Sequence, residues 1–381
     1  MKIPLFKIYW DKNDIRAVEQ SIKRGMQWAA GPNIEKFESL ISKKVGRKYA
    51  LVFNSGTSAL HALLLAYDIK RGDEIIVPSF SFIATANAPL FVGAKPVFAD
   101  IETATYGLDA KDVEKKITKK TKVIMPMHYG GTVALEINKL KALAKKYKLL
   151  MIEDAAESFG AKLDGKNAGT FGDSAMFSFC QTKVFTSGEG GAIVTDSKDI
   201  YEKLKLIRSH GRLESKGYFT TGEYMDYVSL GYNFRMQDMT AALGISQLAK
   251  VDKIIKIRRQ KALYFKKVLE KLNLKDILVP EYPKELFNVY QEFSIIVKSS
   301  TKTRDNLKSY LAKNGIGSRI SFPPIHRTHF YKNVLHYKTV LKNTDEISLK
   351  TLTLPLYPDL QNKQIDYIAK TIKQFFDENH F

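Results

Sequence analysis

Cysteine is almost missing from this chain, and the shortage limits its chemistry. Cys180 is the one cysteine among 381 residues, so no intrachain disulfide can form. A lone thiol cannot hold an iron–sulfur cluster or a thiolate zinc site, and no metal is expected. Long apolar runs are missing too: none approaches the roughly 20 residues that a membrane span needs. The first residues, MKIPLFKIYWDKND, carry acids and no apolar stretch followed by small residues, unlike a secretory leader. The expectation is a cytoplasmic protein with no membrane partner.

Acidic residues are the third shortage, 40 Asp and Glu against 60 Lys and Arg, for a net charge of +20. A basic balance suits nucleic acid, an anionic membrane surface or a phosphorylated substrate. A nucleic-acid groove would cluster Arg and Lys among exposed aromatics. Here the lysines are spread through amphipathic stretches such as KDVEKKITKKTK, and the aromatics sit mostly in apolar strands. The charge therefore reads as a solvated basic surface able to attract a phosphate-bearing substrate, with no nucleic-acid partner.

What is present in quantity is apolar sequence, 44% of the chain, enough for a sizeable core. The length exceeds that of one ordinary core, and predicts a large domain over 1–245 with a smaller one over 246–381. From Ala50 onward, short apolar runs alternate with helical patterns: ALVF, ALHALLLAY, EIIVPSF, ANAPLFVGA, KPVFADI, KVIMPMHY, LEINKLKALAKKY and KLLMIED. That rhythm predicts an α/β fold with a mostly parallel central sheet flanked by helices. After Gly191 come AIVTD, a helix around KDIYEKLKLI, and a polar loop bearing Gly211, Gly217 and Gly222. A periodic stretch from about Gln237 to Leu269 reads as helical and crosses into the C-terminal domain. EFSIIVK, TRDNLKSYLAKNG, the pair Pro323 and Pro324, and IDYIAKTIKQFF then suggest a small α+β unit.

Ligands of such sheets sit beyond the C-terminal ends of the strands, so chemistry is sought there. Lys183 follows the apolar run SAMFSF and precedes TSGEGGAIVTD, a glycine-rich turn that lets backbone close around a ligand. An amine in a partly desolvated pocket loses some preference for its charged form, as carbonyl condensation requires. Asp154 ends the run LLMIED; such a carboxylate can hold the proton on a pyridine nitrogen, or cap a following helix. In NSGTSALHALLL, Ser55, Gly56, Thr57 and Ser58 open a helix, where free N–H groups and hydroxyls suit a phosphate, although SGTS is also an ordinary helix start. Phe82, beyond another strand end, reads as a core aromatic or a stacking ring.

In order and spacing, WAAGPNIEKFE, YALVFNSGTSALHALLLA, VPSFSFIATANAPLFVGAKPVFADI, PMHYGG, MIEDAAESFGA, FSFCQTKVFTSGEGGAIVTD, RSHG, GYNFRMQDMTAALG and SFPPIH resemble the DegT/DnrJ/EryC1/StrS family of sugar aminotransferases. The resemblance spans essentially the whole chain. It implies the fold of type I pyridoxal-phosphate (PLP) enzymes, with Lys183 as Schiff-base lysine and acid/base. It further implies Asp154 on the pyridine nitrogen, Phe82 stacked on the ring, and Gly56, Thr57 and Ser178 on the phosphate. Asn233 would reach the phosphate of the other subunit, making a homodimer with shared sites. Glu157 occupies a position beside the cofactor hydroxyl that holds Gln, His or Glu in members; as an anion it should be protonated or turned aside. Trp28, His326 and Arg327 lie in segments that line the sugar side of the pocket in relatives, and each reads equally as structural packing. The implied reaction moves an amino group from glutamate to a nucleotide-linked keto-sugar, commonly a 4-keto-6-deoxy sugar, and EDAAES is similar to the form in perosamine-synthase-like members. Family dehydratases replace the lysine by histidine or add an iron–sulfur cluster; Lys183 and the single cysteine favour transamination.

Overall fold

A computed structural model describes residues 1–213 and 226–379; Gly217 and Gly222 of the polar loop lie outside that range. The apolar runs form a seven-stranded sheet in the spatial order Tyr49–Phe53, Gly191–Thr195, Ser174–Ser178, Leu150–Asp154, Thr121–Ile124, Glu74–Pro78 and Lys95–Ala99. Six strands run the same way, and Gly191–Thr195 runs antiparallel to both of its neighbours. This is the mostly parallel α/β sheet expected.

The strands are apolar along their length because helices cover both faces, and alternate residues go to opposite sides. Val52, Ile76, Ile124 and Ala175 join one core with Phe37 and Ile41 of helix Pro32–Val45 and Leu140 of helix Ile137–Tyr147. Leu51, Ile75, Val123, Ile152 and Met176 join the other with Leu60, Leu63 and Leu64 of helix Gly56–Ala66. The parallel strands bring Phe53, Pro78, Ala99, Ile124, Asp154 and Ser178, their C-terminal residues, to one edge.

A third core packs around an antiparallel sheet of Ile277–Leu278, Phe293–Val297 and Thr351–Leu354. Helices Thr301–Lys313 and Asn362–Asn379 supply Leu307, Leu311, Ile365, Ile368 and Ile372 to it, and Ile3 joins from the N-terminal segment. Phe265 stacks on Phe293 with centroids 4.5 Å apart.

The stretch Gln237 to Leu269 is helical as expected, in two segments, Asp238–Leu248 and Val251–Lys271. Lys250 leaves helical geometry at φ −110, ψ 5 and sends its ammonium to Asp14 Oδ2, 2.7 Å away. Both helices bury a face on the same side, so the 3.6-residue pattern runs across the junction without registering the turn. Among the described residues, no helix is long and apolar enough to cross a membrane.

Candidate active site

The first part of the site is the strand-to-helix turn after Phe53. Ser55 caps the helix, its Oγ accepting from Ser58 N at 3.0 Å. Gly56 N and Thr57 N, which no preceding turn can satisfy, have no partner among the described residues. Gly56 lies against the neighbouring strand end: a Cβ there would come 3.1 Å from Met176 Sδ and 3.2 Å from Ser178 Cβ. Gly56, Thr57 and the Ser178 hydroxyl are thus gathered at one helix N-terminus, a setting for a phosphate.

Asp154 ends the central strand and is 3% exposed. Its Oδ2 accepts from Thr85 Oγ1 at 2.7 Å and its Oδ1 from Ala156 N at 3.2 Å. No helix follows it, so helix capping does not account for it. Burial pushes the carboxyl up; Thr85, Ala156 N and the charge of Lys183 pull it back, and Glu157 pushes it further up. A buried acid of this kind is at ease only beside a compensating cation or proton.

Lys183 lies in the turn after Ser174–Ser178, its N–H donating to Cys180 O at 2.9 Å. Its ammonium, largely buried, stands 3.3 Å from Glu157 Oε1. Glu157 Oε2 accepts from Gly130 N at 2.9 Å, so this carboxylate is turned toward the lysine and a peptide N–H. The glycines of the turn serve the protein's own packing. A Cβ on Gly191 would come 2.7 Å from Gly56 N, and one on Gly190 2.5 Å from Ser187 Oγ. The start of the strand that follows the Lys183 turn is therefore pressed onto the phosphate-type turn.

Behind Asp154, Glu153 points to the opposite face and is fully buried. Its carboxylate accepts from His128 Nε2 at 2.9 Å, Gly169 N at 2.7 Å, Phe171 N at 2.7 Å and Gly172 N at 2.6 Å. His128 Nδ1 accepts from Ala134 N at 3.1 Å, which fixes the tautomer with the proton on Nε2. Burial alone would raise the Glu153 carboxyl, but His128 and the backbone N–H groups hold it below the usual range. A depressed acid contributes stability above its unfolded value, near pH 4, that is lost as the pH falls through the folded value. Glu153→Gln is expected to cost about 3 kcal/mol or more by turning an NH2 against these donors, seen as earlier thermal unfolding at pH 7. The deficit should shrink on acidification; a deficit that does not change with pH would count against this ionised clasp.

The other sequence-predicted residues are placed as follows. The Phe82 ring is 58% exposed and lies edge-on to Phe322 at 6.3 Å. Asn233 is exposed, and its carbonyl accepts from Asn54 Nδ2 at 3.2 Å, beside the Ser55 turn. The Trp28 carbonyl accepts from Asp238 N at 2.9 Å, within a knot in which Asp238 also holds Ser21, Arg24 and Asn33. His326 is buried, its Nδ1 2.7 Å from Ser79 Oγ, and Arg327 Nε pairs with Asp345 at 2.6 Å. None of Trp28, His326 and Arg327 forms a hydrogen bond or ion pair with Lys183, Asp154 or Glu157 among the described residues.

Sequence reasoning missed Glu292 and Arg319. Arg319 pairs with the buried Glu292, whose Oε2 accepts from Thr353 Oγ1 at 3.2 Å. Burial and the nearby Glu157 raise the Glu292 carboxyl, while Arg319 and Lys183 oppose the rise. The two residues are 27 positions apart on segments whose periodicity shows only a strand and a loop, and no local motif marks them.

An amine, a buried carboxylate, an open helix N-terminus and an exposed aromatic face at the edge of a mostly parallel sheet fit PLP in each of its parts. Lys183 can take the aldehyde, Asp154 the ring nitrogen, Gly56, Thr57 and Ser178 the phosphate, and Phe82 the ring face. Fold and site together define a PLP-dependent aminotransferase. The DegT/DnrJ/EryC1/StrS aminotransferase family matches residues 9–373, and the chain belongs to that family. It is 35% identical to a GDP-perosamine synthase of Vibrio cholerae over 98% of this chain and 99% of the relative. It is 31% identical to the UDP-4-amino-4,6-dideoxy-N-acetyl-beta-L-altrosamine transaminase of Campylobacter jejuni, over 95% of this chain and 94% of the relative. The solved structure of Helicobacter pylori PseC, an aminotransferase in the biosynthesis of pseudoaminic acid, superposes with a TM-score of 0.92 at 29% identity, covering 99% of this chain and 100% of that one.

Proposed function

We propose that this enzyme moves the amino group of glutamate onto the keto carbon of a nucleotide-linked 4-keto-6-deoxy sugar, in the cytoplasm and as a homodimer. The observation that carries the reading is that a largely buried lysine, Lys183, and a buried acid, Asp154, stand at the same sheet edge, near enough for the lysine's charge to act on the carboxyl. Bound PLP supplies a reactive aldehyde and an electron-accepting ring. Lys183 Nζ anchors that aldehyde and, when released, takes the proton from the donor's α-carbon; in the second half-reaction it returns a proton to the sugar side. Asp154 keeps a proton on the ring nitrogen. Gly56, Thr57 and Ser178 fix the phosphate, and Glu157 holds Lys183 in place between transfers.

The relative named as a UDP-4-amino-4,6-dideoxy-sugar transaminase supports amination at C4, and the relative named as a GDP-perosamine synthase leaves the nucleotide open. The positive surface suits a pyrophosphate linker in either case. A partner copy is supported by Tyr227, Val228 and Leu230, which are 60%, 49% and 82% exposed just ahead of Asn233. Exposed apolar side chains close together in the chain suit a covering surface, and a second copy is the cover that the family resemblance implies through Asn233.

Purified protein loaded with PLP is expected to convert a GDP- or UDP-linked 4-keto-6-deoxyhexose, with glutamate, to a product heavier by about 1 Da, as replacing a keto oxygen by an amine with its hydrogens requires. 2-Oxoglutarate should appear in equal amount. Failure to aminate any keto-sugar of such a panel, with the cofactor bound, would reject the substrate class.

A further inference from the structure

We propose that Arg319 is the anchor for a carboxylate of the amino donor, an inference that rests on the transamination reading above. An acidic amino acid presents its carboxylates close to the amine it gives up, so a cation is needed near Lys183 but distinct from it. Four cations border one cavity there: Lys7, Lys183, Arg258 and Arg319. Lys7 is an exposed point charge on a flexible stem in the N-terminal segment, without the planar fork that matches a carboxylate. Lys183 is paired with Glu157. Arg258 is buried, its Nε and Nη2 donating to the carbonyls of Tyr290 and Gln291 at 2.7 to 2.9 Å. Arg319 is different. Its Nε donates to Ser321 Oγ at 2.7 Å and its Nη2 to Glu292. Nη1 has no hydrogen-bond partner among the described residues, and the side chain is 38% exposed. One edge of the guanidinium is thus fixed and the other is open, the arrangement that lets a planar fork receive a carboxylate with little ordering cost.

The fixed edge is tied to the lysine through backbone. Glu292 N donates to Gly130 O at 3.2 Å, and Gly130 N donates to Glu157 Oε2 at 2.9 Å. A single residue, Gly130, therefore links the segment that holds Arg319 to the carboxylate that holds Lys183. On the other side, Gln291 Nε2 donates to Thr182 O at 2.7 Å, next to Lys183 in the chain. These ties set the spacing between the anchor and the amine, which the reaction needs constant from one turnover to the next. Glu292 acts here as a positioning residue: it orients Arg319 and compensates its charge without occupying the open edge.

The test uses the PLP-loaded full chain and its Arg319→Gln and Arg319→Lys variants. Rapid-mixing absorbance gives the glutamate concentration for half-maximal conversion of the cofactor. Calorimetry gives the affinity for glutarate, a dicarboxylate with no amine to react. Loss of a charge-assisted hydrogen bond is expected to raise the half-saturation for glutamate, and the glutarate Kd, by about 10- to 100-fold in R319Q. R319K should fall between the two, and the effect should lie on half-saturation rather than on the limiting rate. Conversion driven instead by the amino-sugar nucleotide, which carries no such carboxylate, should keep its half-saturation. Unchanged values for glutamate and glutarate, or an equal loss with the amino-sugar nucleotide, overturn the anchor while leaving transamination standing. Wild-type holoenzyme that glutamate does not alter overturns the parent reading and the anchor together. Should R319Q unfold, the R319K values decide.

Discussion

Holoenzyme carrying Lys183→Ala is expected to lose amino transfer, with turnover down by at least about 10⁴-fold, because one side chain serves as both covalent anchor and proton carrier. The loss has to be separated from a folding defect, since alanine leaves the buried Glu157 without its ion-pair partner. Removing one member of a buried pair commonly costs about 3–5 kcal/mol, although Gly130 N still donates to Glu157. Lys183→Arg keeps a cation beside Glu157 but offers no amine that can condense with an aldehyde. It should therefore melt nearer to the parent than K183A does and be as inactive. Borohydride treatment of the parent with PLP should leave a stable covalent adduct, found by mass on the peptide containing Lys183. If K183A still yields such an adduct at the same site, the lysine assignment is wrong.

The pairing of Lys183 with the sheet edge was legible in sequence because the parallel strands announce themselves. ALVF, IIVP and LMIED are apolar on both sides of the pleat, as a sheet covered on both faces demands, and the residue after each run marks the ligand edge. Local chemistry narrowed the choice further at Asp154 and at the Ser55 turn. What sequence could not show is how residues distant in the chain meet. His128 and Glu153 look like two unrelated polar residues in apolar runs, yet they form a fully buried clasp. Arg319 and Glu292 belong to different segments beside the three-stranded sheet and meet only after the strand Thr351–Leu354 is laid beside Phe293–Val297. That strand itself, TLTL, is short and follows directly on the helix Lys342–Lys350, so no turn residue separates the two periods. Trp28, His326 and Arg327 stand out in sequence by likeness of segment alone; in the single chain they hold Asp238, Ser79 and Asp345.

The clasp and the acid beside it lead to the second large effect, Asp154→Asn. In the cofactor-free chain the Asp154 carboxyl is raised by burial, so its ionised form is disfavoured by folding. For a raised acid the stability is fully present below the unfolded value, near pH 4, and is lost as the pH climbs through the folded value. Asn cannot ionise and escapes that loss. Apo D154N should therefore match or fall slightly below the parent near pH 4 and gain on it as the pH rises toward neutrality, followed as melting temperature against pH. With PLP bound the order should reverse, because the parent's carboxylate then faces a protonated ring nitrogen and becomes one half of a buried ion pair. Breaking that pair, at about 3–5 kcal/mol, corresponds to a loss of about two to almost four orders of magnitude at about 1.4 kcal/mol per factor of ten, shared between cofactor affinity and turnover. Glu153 on the same strand gives the control: E153Q should be less stable than the parent in both apo and holo forms at neutral pH. An apo D154N that melts below the parent at every pH, or a holo D154N that keeps turnover and cofactor affinity within tenfold of the parent, would remove Asp154 from the role assigned to it.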